Sequence, residues 1–130
     1  MKQVQMLDKF PVFTMDILKT ETLYKTADEI LEALISKIES HPTGSIISIF
    51  DHYGHVDAQK DSVIDSSILD SKSIIFCLAS AIPNAMIGAL RPRTIAINEL
   101  EDKYVLNFLE APMEGPTKIM QEWVTGIKNL

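Results

Sequence analysis

The stretch Thr94-Ile95-Ala96-Ile97-Asn98-Glu99-Leu100-Glu101-Asp102-Lys103-Tyr104-Val105-Leu106-Asn107-Phe108-Leu109-Glu110 decides the fold. It contains two strand-like runs, Thr94–Glu99 and Tyr104–Glu110, rich in β-branched and aromatic residues. Between them lies the short polar turn Leu100-Glu101-Asp102-Lys103. The connection is too short for a parallel crossover, so the two strands form an antiparallel hairpin.

Working outward, Gly115-Pro116-Thr117 reads as a helix start. Ile119, Met120, Trp123, Val124 and Ile127 then lie along one side of the helix. Upstream, Pro83–Leu90 reads as a short helix with proline in its first turn. Ser73–Ala79 reads as a buried strand. Ser45–Phe50, apolar on both faces at its start, reads as a central one. The Asp- and Ser-rich residues 57–72 offer two apolar pairs, Val63-Ile64 and Ile68-Leu69. Their spacing fits one helical turn or a surface loop. Thr26 opens the clearest helix, with Glu29 as its capping-box partner and Ala27, Ile30, Leu31, Leu34, Ile35 and Ile38 as an apolar stripe. Pro42 and Gly44 close it. Val12–Leu18 alternates, placing Phe13, Met15 and Ile17 on one face. Pro11 is acceptable at the entry of such a strand.

The resulting order is β-α-β-β-α-β-β-α. The chain is expected to be α+β: a two-layer sandwich with a mainly antiparallel sheet and helices on one face, not a doubly wound fold. The expected core contains Ile30, Leu34, Ile38, Ile47, Ile49, Ile75, Phe76, Ile95, Ile97 and Leu106. No repeat or linker divides the chain, so 1–130 reads as a single domain with 1–9 as a loose N-terminal segment.

Bulk chemistry narrows the function classes. Eighteen acids against twelve bases give a net charge of −6. That field disfavours phosphate backbones and anionic lipid, and the lysines form no basic run, so neither nucleic acid nor membrane is expected as a partner. The apolar runs fall far short of the ~20 residues a spanning helix needs. The polar start carries no secretion-signal pattern. The single cysteine, Cys77, excludes an internal disulfide framework and points to the reducing cytoplasm. Between Phe76 and Leu78, that cysteine reads as a small buried hydrophobe.

Residues 24–112 resemble the small bacterial and archaeal domains called domain of unknown function family 302. The resemblance rests on the Thr26–Ser40 helix, Gly44, a strand ending in Asp51-His52, the proline-started short helix, Leu90-Arg91-Pro92, and a hairpin closing in Ala111-Pro112. The family's Phe-Gly-Asn-Pro is replaced by Phe76-Cys77-Leu78-Ala79, with Pro83-Asn84 coming later. The 57–72 connection is long and the last helix is extra, so the resemblance implies a divergent relative. It implies a fold and carries no activity.

Two polar constellations stand out. Asp51, His52 and His55 are competent metal ligands or acid–base groups. On a continuing strand, however, Asp51 and His55 would lie roughly 13 Å apart, with His52 on the other face. Arg91 and Arg93, the only arginines, flank Pro92; their forks suit a carboxylate or phosphate, while Glu99 and Glu110 are available to neutralise them. Phosphate-loop, Gly-x-Ser-x-Gly, Cys-x-x-Cys and His-Glu-x-x-His motifs are all missing. No cofactor or metal is expected, and no catalytic residue can be assigned.

The sequence therefore reads as a non-enzymatic ligand- or partner-binding module that self-associates. The homodimer interface is expected around Met120, Trp123, Val124 and Ile127, with a small anion as a further possible ligand. The alternative is an enzyme or metal protein using Asp51, His52 and His55, with an arginine facing the same pocket to hold an anionic ligand.

Overall fold

The computed structural model describes residues 1–130. Its strands are β1 (Lys2–Met6), β2 (Phe10–Leu18), β3 (Ser45–Phe50), β4 (Asp70–Cys77), β5 (Arg93–Glu99) and β6 (Lys103–Leu109). Its α-helices are α1 (Ala27–Glu39), α2 (His52–Asp57) and α3 (Glu114–Thr125). The six strands form one sheet in the order β1-β2-β6-β5-β4-β3, with every neighbouring pair antiparallel.

The hairpin that decides the fold sits at the centre of this sheet. Ile97 pairs with Leu106 and Asn98 with Val105, so register alone sorts the residues into two faces. One face carries Ile17, Ile74, Phe76, Ile95, Ile97, Tyr104, Leu106 and Phe108, all buried. Onto it pack Ala27, Ile30, Leu31, Leu34 and Ile38 of α1, Met120 and Val124 of α3, and Ile127 just beyond α3. The α+β sandwich with an antiparallel sheet is thus the observed architecture. The short α2 lies against β4 beside Ser71 and Asn98, which point away from Ile97 and the main core. No helix is long and apolar enough to cross a membrane.

The helix start at Thr26 follows its sequence signature. The Thr26 hydroxyl accepts from the Glu29 amide at 3.1 Å, while the Glu29 carboxylate reaches the Lys25 amide at 2.6 Å rather than that of Thr26. One orphan amide of the first turn is satisfied locally, and Asp28 and Glu29 suit the positive helix end.

Several expectations are corrected. The segment expected to be loose, 1–9, contains β1, joined to β2 by a tight turn with Leu7 and Asp8 at φ of 52° and 59°. Such a turn ordinarily carries Asn-Gly or Asp-Gly, so Leu7-Asp8 gave no hairpin signal. Ser45–Phe50 is an edge strand, not a central one. Its register shifts between Ile46 and Ser48, which places Ile46 opposite Phe76 and Ile49 opposite Ile74 on the helix-covered face. Ile47 is left 56% exposed and Ile49 40%, and Ile75 is only half-buried, so these three are not central core. The helix expected over 83–90 shrinks to a 3₁₀ turn, Ile87–Leu90. Of the two readings open for residues 57–72, the structure has the loop: between Asp57 and Asp70 the chain forms turns without a helix.

The last helix is also reassigned. Met120, Val124 and Ile127 are fully buried within the chain's own core. Trp123 is half-buried, edge-on to Phe76 at 6.3 Å and to His41 at 6.1 Å. The apolar stripe expected at a homodimer interface packs instead against the chain's own core. The Thr22 hydroxyl bonds to the Ile127 carbonyl at 2.7 Å and ties down the end of the chain.

Candidate functional site

The first predicted constellation is dispersed into local structure. Asp51 caps α2, its carboxylate accepting from the Gly54 amide at 3.0 Å. A Cβ at Gly54 would run into that carboxylate, so glycine is what permits the close cap. His52 stacks on Phe50 at 5.0 Å and His55 meets the same ring edge-on at 5.6 Å. All three polar residues are exposed, and no three His, Cys, Asp or Glu side chains converge as a metal site would require.

A cavity of about 220 Å³ does open beside His52. Its walls are Tyr53, Val56, Val63, Ile64, Asp65, Ile68, Ser71 and Asn98. Neither arginine is among them. The arginine end of β4 is marked by Cys77 and the His52 end by Ser71, six residues away, or roughly 20 Å along a strand. The expectation that an arginine faces a pocket near His52 is therefore overturned.

The second constellation is brought together. Arg93 begins β5 opposite Phe76, on the helix-covered face, and follows the cis Arg91–Pro92 peptide. A cavity of about 170 Å³ opens here, between the end of β4, the Ile87–Leu90 turn and the segment leading into α3. Leu78, Ala79, Ile87, Leu90, Ala111 and Met113 give it apolar walls, Pro112 and Pro116 complete the α3 side, and Cys77, Arg91 and Arg93 add the polar groups. The α3 side is fixed by Thr117, whose buried hydroxyl accepts from the Ala111 amide at 2.9 Å. Cys77 is half-buried, more accessible than the apolar strand context implied.

Charge is distributed unevenly between the lysines and these arginines. Lys19 pairs with Glu99, Lys72 with Asp28 and Asp70, Lys103 with Asp16, and Lys128 with Glu21. Neither arginine takes part in a salt bridge. Glu99, one expected partner, is held by Lys19 at 2.8 Å, while Glu110, the other, accepts from Gln3 at 3.2 Å. Arg91 donates to the Ala81 carbonyl at 2.5 Å, and Arg93 donates to the Leu109 carbonyl. The buried Arg93 Nε has no hydrogen-bond partner. Burial without an opposing carboxylate lowers the Arg93 guanidinium from its ordinary value, although an arginine side chain remains charged.

A guanidinium with no acid partner beside apolar walls can hold a carboxylate while the walls take an apolar body. Cys77 shares the cavity with both arginines, and no histidine or carboxylate lines it. Sequence reading found both arginines but missed Ile87, Leu90 and Met113 as walls. The paired prolines Pro112 and Pro116 were the only local sign that the chain turns back over the sheet end there.

Fold and cavity together define a two-layer α+β domain with an arginine-bearing recess at one end of an open antiparallel sheet. The chain belongs to a family of unknown function, DUF6858, which matches residues 1–129. Its fold is similar to the crystal structure of an uncharacterised conserved DUF302 protein from Bacillus stearothermophilus. The TM-score is 0.58 at 10% sequence identity, covering 90% of this chain and 94% of that one. The resemblance drawn from the helix, Asp51-His52 and hairpin motifs thus holds at the level of fold, as for a divergent DUF302-like domain. No curated protein matches.

Proposed function

We propose that this protein is a non-enzymatic, cytoplasmic binding module that takes a small carboxylate with an apolar body into the recess beside Arg93. The observation that carries this reading is Arg93 itself: a half-buried cation in a chain of net charge −6, lacking any acid partner and keeping a buried Nε without an acceptor. Desolvating a charge without pairing it is costly, and a bound carboxylate offsets that cost. The mostly apolar walls favour an aliphatic or aromatic acid over inorganic phosphate. The single cysteine supports the cytoplasmic assignment.

The test is calorimetric titration with acetate, butyrate, hexanoate, benzoate and inorganic phosphate, on wild type and Arg93→Met. Affinity should rise with apolar size among the carboxylates, and Arg93→Met should lose it while remaining folded. A ligand at 100 times its Kd should add about 2.7 kcal/mol of stability. If no carboxylate binds, or if Arg93→Met binds as well as wild type, the reading fails.

A further inference from the structure

β3 is one edge of the sheet, and nothing but β4 pairs with it. Its sequence, Ser45-Ile46-Ile47-Ser48-Ile49-Phe50, has no charge and no proline. Natural edge strands are usually blunted by lysine, proline, a bulge or a covering element, because bare amides and carbonyls template pairing with another chain. The opposite edge, β1, has such features: it begins with Lys2 and carries Gln3, which is bonded to Glu110. β3 has a bulge and nothing else.

We infer that the protein forms a two-fold dimer by antiparallel pairing of β3 with the β3 of a second copy, joining the two sheets into one. This goes beyond the ligand site and does not depend on it. Facial register selects a second copy as the occupant, and the charge pattern of the strip permits it.

The shift between Ile46 and Ser48 puts Ile46 and Ile49 on the same face despite their odd spacing, opposite Phe76 and Ile74. A pairing centred between Ile47 and Ser48 sets Ile46 against the partner's Ile49 and Ile49 against the partner's Ile46. Four isoleucines then meet on the face that already carries the core. A strand without this bulge would set one of the two against a side chain of the opposite face.

Two chains of net −6 repel one another, and an uncharged six-residue strip is where they can approach with least cost. In the same pairing Asp51 lies beside the partner's Gly44, so no like charges are opposed. Ile47 and Ile49, now 56% and 40% exposed, would be covered.

The test is sedimentation velocity on the full chain over a wide micromolar range, comparing wild type with Ile47→Lys and Ser48→Lys. Both positions are exposed, so circular dichroism should match wild type. Wild type should be dimeric, and either lysine should weaken the dimer on the order of 100-fold or more, through like charges placed across the two-fold. If a lysine variant does not fold, hydrogen exchange of wild type decides instead. Amides in Ser45–Phe50 should gain protection as concentration rises, while those of β1 do not. A wild-type monomer throughout, a dimer unaffected by both lysines, open-ended oligomers, or no concentration-dependent protection in β3 would each overturn the inference.

Discussion

Met120→Ala tests whether the last helix closes the monomer core or presents an interface. Met120 is fully buried on α3, within the same cluster as Leu34, Phe76 and Leu106. Truncation removes about three methylene-sized groups from apolar surroundings, worth ~2.4 kcal/mol at ~0.8 kcal/mol each. The space left behind adds a second cost. A residual cavity of about 40 Å³ would contribute ~1 kcal/mol at ~24 cal/mol per Å³. The expected loss is therefore about 3–3.5 kcal/mol, within the usual range for such truncations.

Urea denaturation followed by circular dichroism measures that loss directly, and an unchanged m-value would show that the transition keeps its character. For a domain of this size the melting temperature should fall by roughly 10–15 °C. The oligomeric state should not change, because the side chain lies inside one protomer. A loss below about 1 kcal/mol accompanied by dissociation of an oligomer would refute the assignment of this face to the core.

Thr26→Ala should cost about 1 kcal/mol in the same assay by removing the acceptor for the Glu29 amide. Asp51→Ala should cost about 1 kcal/mol as a lost α2 cap and leave carboxylate binding intact; an effect on binding without one on stability would argue against the capping role. Lys72 is raised above its ordinary value, chiefly by its hydrogen bond to Asp28, with Asp70 adding to the effect. Its folded-state value is therefore above its unfolded one, and its stabilisation is complete below the unfolded value and lost as pH climbs through the folded one. Lys72→Met should accordingly flatten the alkaline side of the pH–stability curve and lower the plateau at neutral pH by less than about 1 kcal/mol. Arg93→Met should change stability by no more than about 1 kcal/mol, because losing the bond to the Leu109 carbonyl is offset by removing an unpaired donor. A loss of several kcal/mol would make Arg93 a structural residue.

Local signals placed α1, the central hairpin and α3 because each is encoded in short-range terms: caps, periodicity and turn composition. Ile30, Leu34 and Ile38 are buried as their spacing requires. Strand position within the sheet is a different kind of property. Ser45–Phe50 is apolar enough for the middle of a sheet yet lies at its edge, since composition reports what a strand could bury and not which neighbours the topology supplies. β1 shows the converse. Lys2–Met6 gains order by pairing with β2 across a turn whose first left-handed residue, Leu7, is a poor fit for that conformation, so that Asp8 alone was too weak a turn signal. The Met120–Ile127 stripe was legible as apolar, but a core helix and an interface helix share that pattern. Only the available sheet surface, unknown from sequence, separates them.

The same limit governs the site. Arg91 and Arg93 could be singled out by residue type, and their neutralisation by Glu99 or Glu110 was the natural expectation from sequence proximity. The fold decides otherwise: Glu99 closes β5 at the end opposite Arg93, six residues or roughly 20 Å along the strand, and both acids are engaged by residues distant in the chain. Lys19, eighty positions before Glu99, holds it at 2.8 Å, and Gln3 engages Glu110 across the sheet. Antiparallel pairing puts Lys19 next to the β5–β6 turn, where its amide bonds to the Asp102 carbonyl, and this brings its ammonium to Glu99. Lys19, Lys72, Lys103 and Lys128 take their acids elsewhere, and the first residue of β5 is left as a cation without a counter-ion beside apolar walls. A feature that consists of a missing partner cannot be read as a motif, because it depends on where the fold places the acids.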